Sequence, residues 1–425
     1  MGRRHRRLRI APLFRCSSAV AALERKEHVQ SRRSRSARRC VDIPSYTLSG
    51  YMSGGPDARF EARRFRATPR TPARLTSRAS SDVRMTGAVR SVANRFTHVR
   101  AGHCASGSLR DVLAFHELDY GRGPLSEGMC FGLGSGLGFM YAPVPQVTPP
   151  IYIVGRTEAL EESFALNLDV PLSIRDTDDA ATGLRWVREE LERGRPPIVW
   201  SDIAELEYLR VRMSNTRHAI VVVEVDEEAG VALLADNDRD GLQPCSLGSL
   251  ARARSSGGFP GPNLHRTFVY DWPDRLGDPA AAIARSIRGS IGNMREGGAR
   301  LGGMEAPAGL EGVDRFAEDY AQWPQTFGED LPAILSALSI FIVKAGTGGA
   351  LFRSLYAEFL SDSAILLEDP TLADTARTAD GLAEGWRSLA AAARSGDHET
   401  GVEVLAGVVA AERRLIEELE RWIAR

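Results

Sequence analysis

The chain has 425 residues, 43% of them hydrophobic, and a formal net charge of −1; that length leaves room for more than one domain with its own core. No apolar run approaches the ~20 residues of a membrane span, so a membrane partner is not expected. The near-zero charge conceals an asymmetry. Residues 1–84 carry 20 Arg and one Lys against six acidic residues, a net of +15, whereas residues 85–425 carry 33 basic and 49 acidic groups, a net of −16.

The basic arm, residues 1–84, lacks apolar periodicity and is predicted to be disordered. Its Arg runs come without interleaved aromatic residues or a nucleic-acid-binding module, so no nucleic-acid partner is expected. A transit peptide would be shorter and amphipathic. The whole chain has only two lysines, Lys26 and Lys344, as a GC-rich coding sequence would give. The preferred reading is that the arm is not native coding sequence and that the true start is Met85. Cys16, Cys40, Cys104, Cys130 and Cys245 show neither paired spacing nor a zinc pattern. No metal or cofactor is expected, and a reducing cytoplasm is the expected compartment.

The stretch Gly102-His103-Cys104-Ala105-Ser106-Gly107-Ser108 sets a cysteine in a small-residue turn. Ser108 with Asp111 resembles a capping box, and Leu109, Val112 and Leu113 follow at helical spacing. A thiol beside a helix N-terminus ionises more easily than a free one. Cys104 is therefore the candidate nucleophile, with a buried, inert cysteine as the competing reading. The glycine-dense stretch Leu125–Tyr141 fails GxGxxG and carries no GK[ST], so close packing or a bend into a strand explains it better than a phosphate cradle. Glu127 within it reads equally as a buried polar anchor or a solvated residue.

Strands are predicted at Ile151–Val154, Val170–Ile174 and Pro196–Trp200, with helices at Glu158–Leu166 and Asp179–Arg193 between them. Two β-branched runs, His218–Val225 and Val231–Asn237, flank a polar loop ending in Gly230, the pattern of an antiparallel hairpin. His218 opens the first strand and Asp236 closes the second, so pairing brings them together. A histidine beside a carboxylate is held in one tautomer and made more basic. Each residue alone also reads as an ordinary strand end or turn cap. Asn237 is the alternative orienting residue. Asp202 reads either as support for the histidine or an acceptor amine, or as a surface residue.

Ala253–Pro262 reads as a surface loop and Arg266–Tyr270 as a last strand. Helices are then predicted at Ala280–Met294, Gly309–Gln322, Leu331–Lys344, Ala350–Leu366, Thr371–Arg394 and His398–Ala424. The apolar stripe of the last one, Val402 to Ile423, is explained by core packing, with a homodimer seam as a second reading. The glycines from Gly346 open a helix and are a candidate anion site. Arg353 and Tyr356 read as structural pairing more readily than as cleft residues.

His103–Gly107, Leu125–Gly136, Trp200–Asp202 and His218–Val223 resemble the N-terminal domain of the butirosin biosynthesis protein H family, and Gly346–Leu360 resembles the helical domain that often follows it. The order Cys, His, Asp is also that of papain-like peptidases. The resemblance implies an α+β fold, with a papain-like domain over 85–275 and a helical domain over 280–425. It also implies acyl transfer from a carrier-protein phosphopantetheine thioester to a small-molecule amine. Cys104 would attack, His218 would shuttle the proton, Asp236 would orient it, and the amides near Cys104 and Ala105 would hold the oxyanion. Arg217, where a small residue is common, and Glu224, where a glycine is usual, depart from the family pattern. A cysteine hydrolase and a non-catalytic binding module are the alternatives on the same fold.

Overall fold

The computed structural model describes residues 89–145, 148–297, 299–301 and 304–425; the Arg-rich arm 1–84 lies outside them. Three helices come first, α1 (Val89–Arg95), α2 (Cys104–Phe115) and α3 (Glu127–Leu133). Next, β1 (Leu137–Pro143) and β2 (Ile151–Arg156) form an antiparallel hairpin of their own. The chain continues through α4 (Leu160–Asn167), β3 (Leu172–Arg175), α5 (Ala180–Glu192), β4 (Ile198–Ser201), β5 (His218–Asp226), β6 (Val231–Ala235), β7 (Gln243–Ser246), α6 (Leu247–Ser255) and β8 (Thr267–Tyr270).

β3 to β8 make one sheet in the order β3-β8-β4-β5-β6-β7, antiparallel at every pairing. Its strands and the flanking helices give a mixed helix and strand architecture, followed by a helical C-terminal region. Ala219 to Val223 on β5 are fully buried without a break. That continuous apolar run is what a strand covered on both faces requires. α2 packs against β5, and α6 against β4. β8, predicted as the last strand, lies inside the sheet between β3 and β4. The loop expected at 253–262 begins inside α6, whose N-cap Ser246 accepts from the Ser249 amide.

α3 was hidden in the glycine-dense stretch, and its glycines are there for close approach. A Cβ on Gly132 would stand 1.9 Å from the Phe359 ring, and one on Gly128 would stand 2.4 Å from Glu358 Cβ. Any side chain would push the C-terminal helix carrying those residues off α3.

The C-terminal region begins with α7 (Pro279–Arg295) and the short hairpin β9 (Ala299–Leu301) and β10 (Met304–Ala306). It continues with α8 (Gly309–Phe327), α9 (Leu331–Val343), α10 (Arg353–Leu367), α11 (Pro370–Ser395) and α12 (His398–Ile423). Local chemistry sets these boundaries. Asp278 and Asp369 cap helices that start with proline, and Asp397 caps α12. These carboxylates satisfy first-turn amides, and proline at the first position has no N–H to lose. Gly396, at φ 76°, ends α11 in the left-handed conformation that suits glycine.

Leu405, Val408, Leu415, Ile416 and Leu419 of α12 are buried in the core, so the stripe of the last helix is spent within the chain. The run Gly309–Val343 is the one stretch among the described residues long and apolar enough to cross a membrane, with a third of that window buried. Here the sequence expectation of no such run needs amending. A 3-10 turn at Gly328–Asp330 divides the run, α8 packs on β1 and α12, and α9 packs on α11.

Candidate active site

Cys104 is the first residue of α2, five positions earlier than the Ser108 capping box implied. The cap is His103, whose Nδ1 lies 3.4 Å from the Ser106 amide and 3.1 Å from Ser106 Oγ. Histidine is an uncommon cap, so the residue types did not announce the helix start. Ser108 instead donates from Oγ to the Ala219 carbonyl on β5. Asp111 takes up His98 and Arg110. Cys104 as a residue is partly buried, while Cys130 and Cys245 are fully buried. The amides of Cys104 and Ala105 open the helix and have no partner among the described residues, as the first turn of any helix leaves them.

Glu127, the first residue of α3, is an anchor. Its Oε2 accepts from the Gly102 amide at 2.8 Å, and its Oε1 accepts from the His103 amide at 2.7 Å and from Ser106 Oγ at 3.1 Å. One carboxylate thus fixes the turn before Cys104 from three sides. Asn237 holds the same turn further upstream. Its Nδ2 and carbonyl pair with Ala101, so it does not orient the histidine.

The structure brings Cys104, His218 and Asp236 together. β5 and β6 pair with Val221 opposite Ala235, which leaves His218 and Asp236 at the same end of the hairpin. His218 Nε2 lies 3.1 Å from Asp236 Oδ2, and the helix that Cys104 opens packs against the strand that His218 opens. Tyr208, which nothing in the sequence marked, donates to Asp236 Oδ2 at 2.7 Å. The Asp238 amide donates to Oδ1 at 3.2 Å.

The electrostatics follow from these contacts. Burial opposes ionisation of Cys104, but the charges and hydrogen bonds of His103 and His218 hold it well below an ordinary thiol. Burial alone would lower the pKa of His218; Asp236, by charge and hydrogen bond, and then Cys104 drive it well above 6.5. Burial likewise opposes the charge on Asp236, yet His218, Tyr208 and the Asp238 amide bring it down to about 2. A thiolate–imidazolium pair beside a fixed carboxylate is the favoured charge state. By contrast, burial pushes the Cys130 and Cys245 thiols up.

Asp202 is not part of this group. It is buried, and its oxygens accept from Ser214, Asn215, Ser256 and Ala204. It organises the loops around 202–216 and 256, which corrects both the histidine-support and the surface reading. Arg217 precedes the histidine in a left-handed conformation, φ 59°, with its guanidinium 5.4 Å from the Trp200 ring. Arg266 lies over the same indole at 4.2 Å, and these residues line a cleft with Glu158 and Glu162. Glu224 follows directly on a bulge in β5, between Val222 and Glu224, where an extra residue is accommodated without disturbing the end that carries His218.

The C-terminal helices reach this site. The Gly346 turn is not an anion site: its Gly348 amide donates to the Gly102 carbonyl at 3.3 Å. A Cβ on Gly102 would lie 3.0 Å from Gly348 Cα. Phe352 lies edge-on to the His103 ring, 5.2 Å between centroids, and stacks on Phe131 at 5.6 Å. Arg353 is fully buried and structural, paired with Glu412 at 2.8 Å and with the carbonyls of Gly138 and Gly155. Tyr356 is buried in the core.

No curated relative matches the chain. Residues 103–237 match the family described as Butirosin biosynthesis protein H, N-terminal, and residues 248–422 match a domain of unknown function, DUF4872. The first match spans the elements from α2 to the end of β6, which carry Cys104, His218 and Asp236. The second begins inside α6 and includes Phe352. Residues 103–237 thus form a Butirosin biosynthesis protein H N-terminal domain, from a family of biosynthesis-related enzymes, and residues 248–422 a DUF4872 domain.

Proposed function

We propose that the protein is a cysteine-dependent acyltransferase of specialised metabolism, with a papain-like first domain over 85–275 and a helical domain over 280–425. It moves an acyl or aminoacyl group from a carrier-protein phosphopantetheine thioester to a small-molecule amine. The observation that carries this reading is the His218–Asp236 pair at the end of its hairpin, with the helix that Cys104 opens packed against the same strand.

In the first half-reaction the Cys104 thiolate attacks the thioester carbonyl and a carbon–sulfur bond forms. The oxyanion sits at the N-terminus of α2, where the amides of Cys104 and Ala105 are free to donate. Collapse breaks the bond to the pantetheine sulfur, which leaves with the proton of the His218 imidazolium. In the second half-reaction neutral His218 takes a proton from the amine as its nitrogen attacks the acyl-enzyme. The carbon–nitrogen bond forms, the Cys104 thiolate leaves, and the imidazolium is restored. A thioester needs little help at its leaving group, so no strong acid is required.

The test is to incubate the full chain with a panel of acyl-carrier thioesters and follow its intact mass. A covalent acyl adduct on Cys104 that is discharged by amines supports the proposal, and Cys104→Ala should form none. An adduct lost at the same rate without amine indicates a hydrolase. Carrier binding without any adduct indicates a binding module and overturns the catalytic reading.

A further inference from the structure

The Butirosin biosynthesis protein H match ends at residue 237 and DUF4872 has no assigned role, yet it contributes the residues that close over His103. His103 is 3% exposed. Its Nδ1 is given to Ser106, and its Nε2 is buried without a regular hydrogen-bond partner. The ring belongs to the residue directly before Cys104 and caps the helix that Cys104 opens. An imidazole placed this way is useful only if it cannot turn, and two aromatic rings stop it. Phe131 lies edge-on at 6.1 Å and Phe352 at 5.2 Å. Phe131 belongs to the first domain, and its ring is itself held flat against Phe352, 7° from parallel.

The backbone around Phe352 is built to put it there. Leu351 and Phe352 are both left-handed, φ 48° and 68°, a conformation that non-glycine residues adopt only when their surroundings impose it. Both side chains are buried. The Phe352 amide donates to the Thr347 carbonyl at 2.6 Å and the Leu351 amide to the Ile342 carbonyl at 2.8 Å. Thr347 Oγ1 donates to the Ile342 carbonyl at 2.7 Å. The same turn touches the cysteine turn directly, through Gly348 and Gly102.

We infer that the Gly346–Phe352 turn of DUF4872 is a positioning element of the active site, in which Phe352 fixes the ring of His103, the cap of the helix that Cys104 opens. This rests on the reading of Cys104 as the nucleophile. The other titratable groups around the pair are His218 and Asp236 on the sheet side and Glu127 on α3. The ring contacts of Phe352 among the described residues are with His103 and Phe131, so His103 is the titratable group through which Phe352 acts on the thiol.

The experiment follows iodoacetamide alkylation of Cys104 in the full chain between about pH 4 and pH 10, a direct readout of the thiolate fraction. Phe352→Leu keeps apolar volume but loses the ring. It should raise the apparent pKa of Cys104 by about one unit and cut the rate in the acidic limb about tenfold. His103→Gln should give a shift of similar size, and the double variant should add little to either, because both act on one contact. Cys130 and Cys245 stay unlabelled if the fold is intact. Should Phe352→Leu expose them, Phe352→Met carries the same expectations. A Phe352 variant that is less stable yet alkylates along the wild-type curve overturns the inference, as do fully additive shifts. An ordinary thiol curve in the wild type, with no acyl adduct, overturns instead the proposed function on which it rests.

Discussion

His98 Nδ1 lies 2.6 Å from Asp111 Oδ2, and its Nε2 lies 3.0 Å from the carbonyls of both Asp236 and Arg239. All three partners are acceptors, so both ring nitrogens must carry protons. The imidazolium ties the helix of Cys104 to the backbone of Asp236. Burial lowers its pKa, but the hydrogen bond and charge of Asp111 and the two carbonyls together raise it above 6.5. Arg110, which also pairs with Asp111, is the nearby opposing charge. A folded-state pKa above the unfolded one means that the stabilisation is fully present below about pH 6.5 and fades as pH rises through the folded value. His98→Gln should therefore cost about 3 kcal/mol at about pH 6, the scale for breaking a buried pair. The cost should shrink at about pH 9. Denaturant melts at the two values check this, and equal losses at both would contradict it.

Glu127→Gln tests the anchor under the cysteine turn. The variant keeps the shape of the side chain, but its NH2 group faces an amide that needs an acceptor, so the Gly102 or the His103 N–H loses its partner. The turn then drifts relative to His218. A misplacement of that kind costs up to about a hundredfold in rate when geometry is limiting. The expected result is a fall in the rate of Cys104 acylation of about ten- to a hundredfold, with a smaller change in melting temperature. An unchanged acylation rate would assign Glu127 to stability alone.

Sequence pattern was most informative where a single local rule decides structure. The C-terminal helices stand within a few residues of their predicted ends, because Asp278-Pro279, Asp369-Pro370 and Gly396 mark them chemically. His218 and Asp236 were readable as neighbours because hairpin pairing places strand ends together. The residues that could not be read act across long separations. Tyr208 reaches Asp236 from a loop 28 positions away, His98 reaches it across 138, and Phe352 reaches His103 from the second family domain. The start of α2 was missed for a different reason, since Ser108 and Asp111 satisfy the capping pattern while serving tertiary contacts. Asp202 misled because a carboxylate at a strand end near the histidine looks the same in sequence whether it faces a site or a loop.

Tyr208→Phe removes one of the hydrogen bonds on Asp236 while keeping the ring. The carboxylate retains His218 and the Asp238 amide, so it stays charged near neutral pH. Its pKa should rise from about 2, and His218 should become less basic in turn. The expected stability loss is about 1.5–3 kcal/mol, the scale for a hydrogen bond to a charged group. Acylation at neutral pH should slow by no more than about tenfold. The acidic limb of the rate profile should move to higher pH, which a pH series on purified variant and wild type measures. A profile of unchanged shape would mean that the phenol only fills space.

Arg353 and Glu412 are both fully buried and 2.8 Å apart, and Trp386 Nε1 donates to the same Glu412 oxygen at 2.9 Å. Removing one partner of such a pair strands the other charge, so Arg353→Met should cost about 3–5 kcal/mol. Replacing both, Arg353→Met with Glu412→Leu, removes the stranded carboxylate and should recover part of that loss. Full recovery is not expected, because Arg353 Nη1 also donates to the Gly138, Gly155 and Leu351 carbonyls. Each buried carbonyl left without a donor costs about 1–3 kcal/mol. A denaturation cycle of the two single variants and the double variant separates these contributions. If the double variant proved as stable as wild type, the arginine would be serving its carboxylate alone, and its link from α10 to the β1–β2 hairpin would carry no energy.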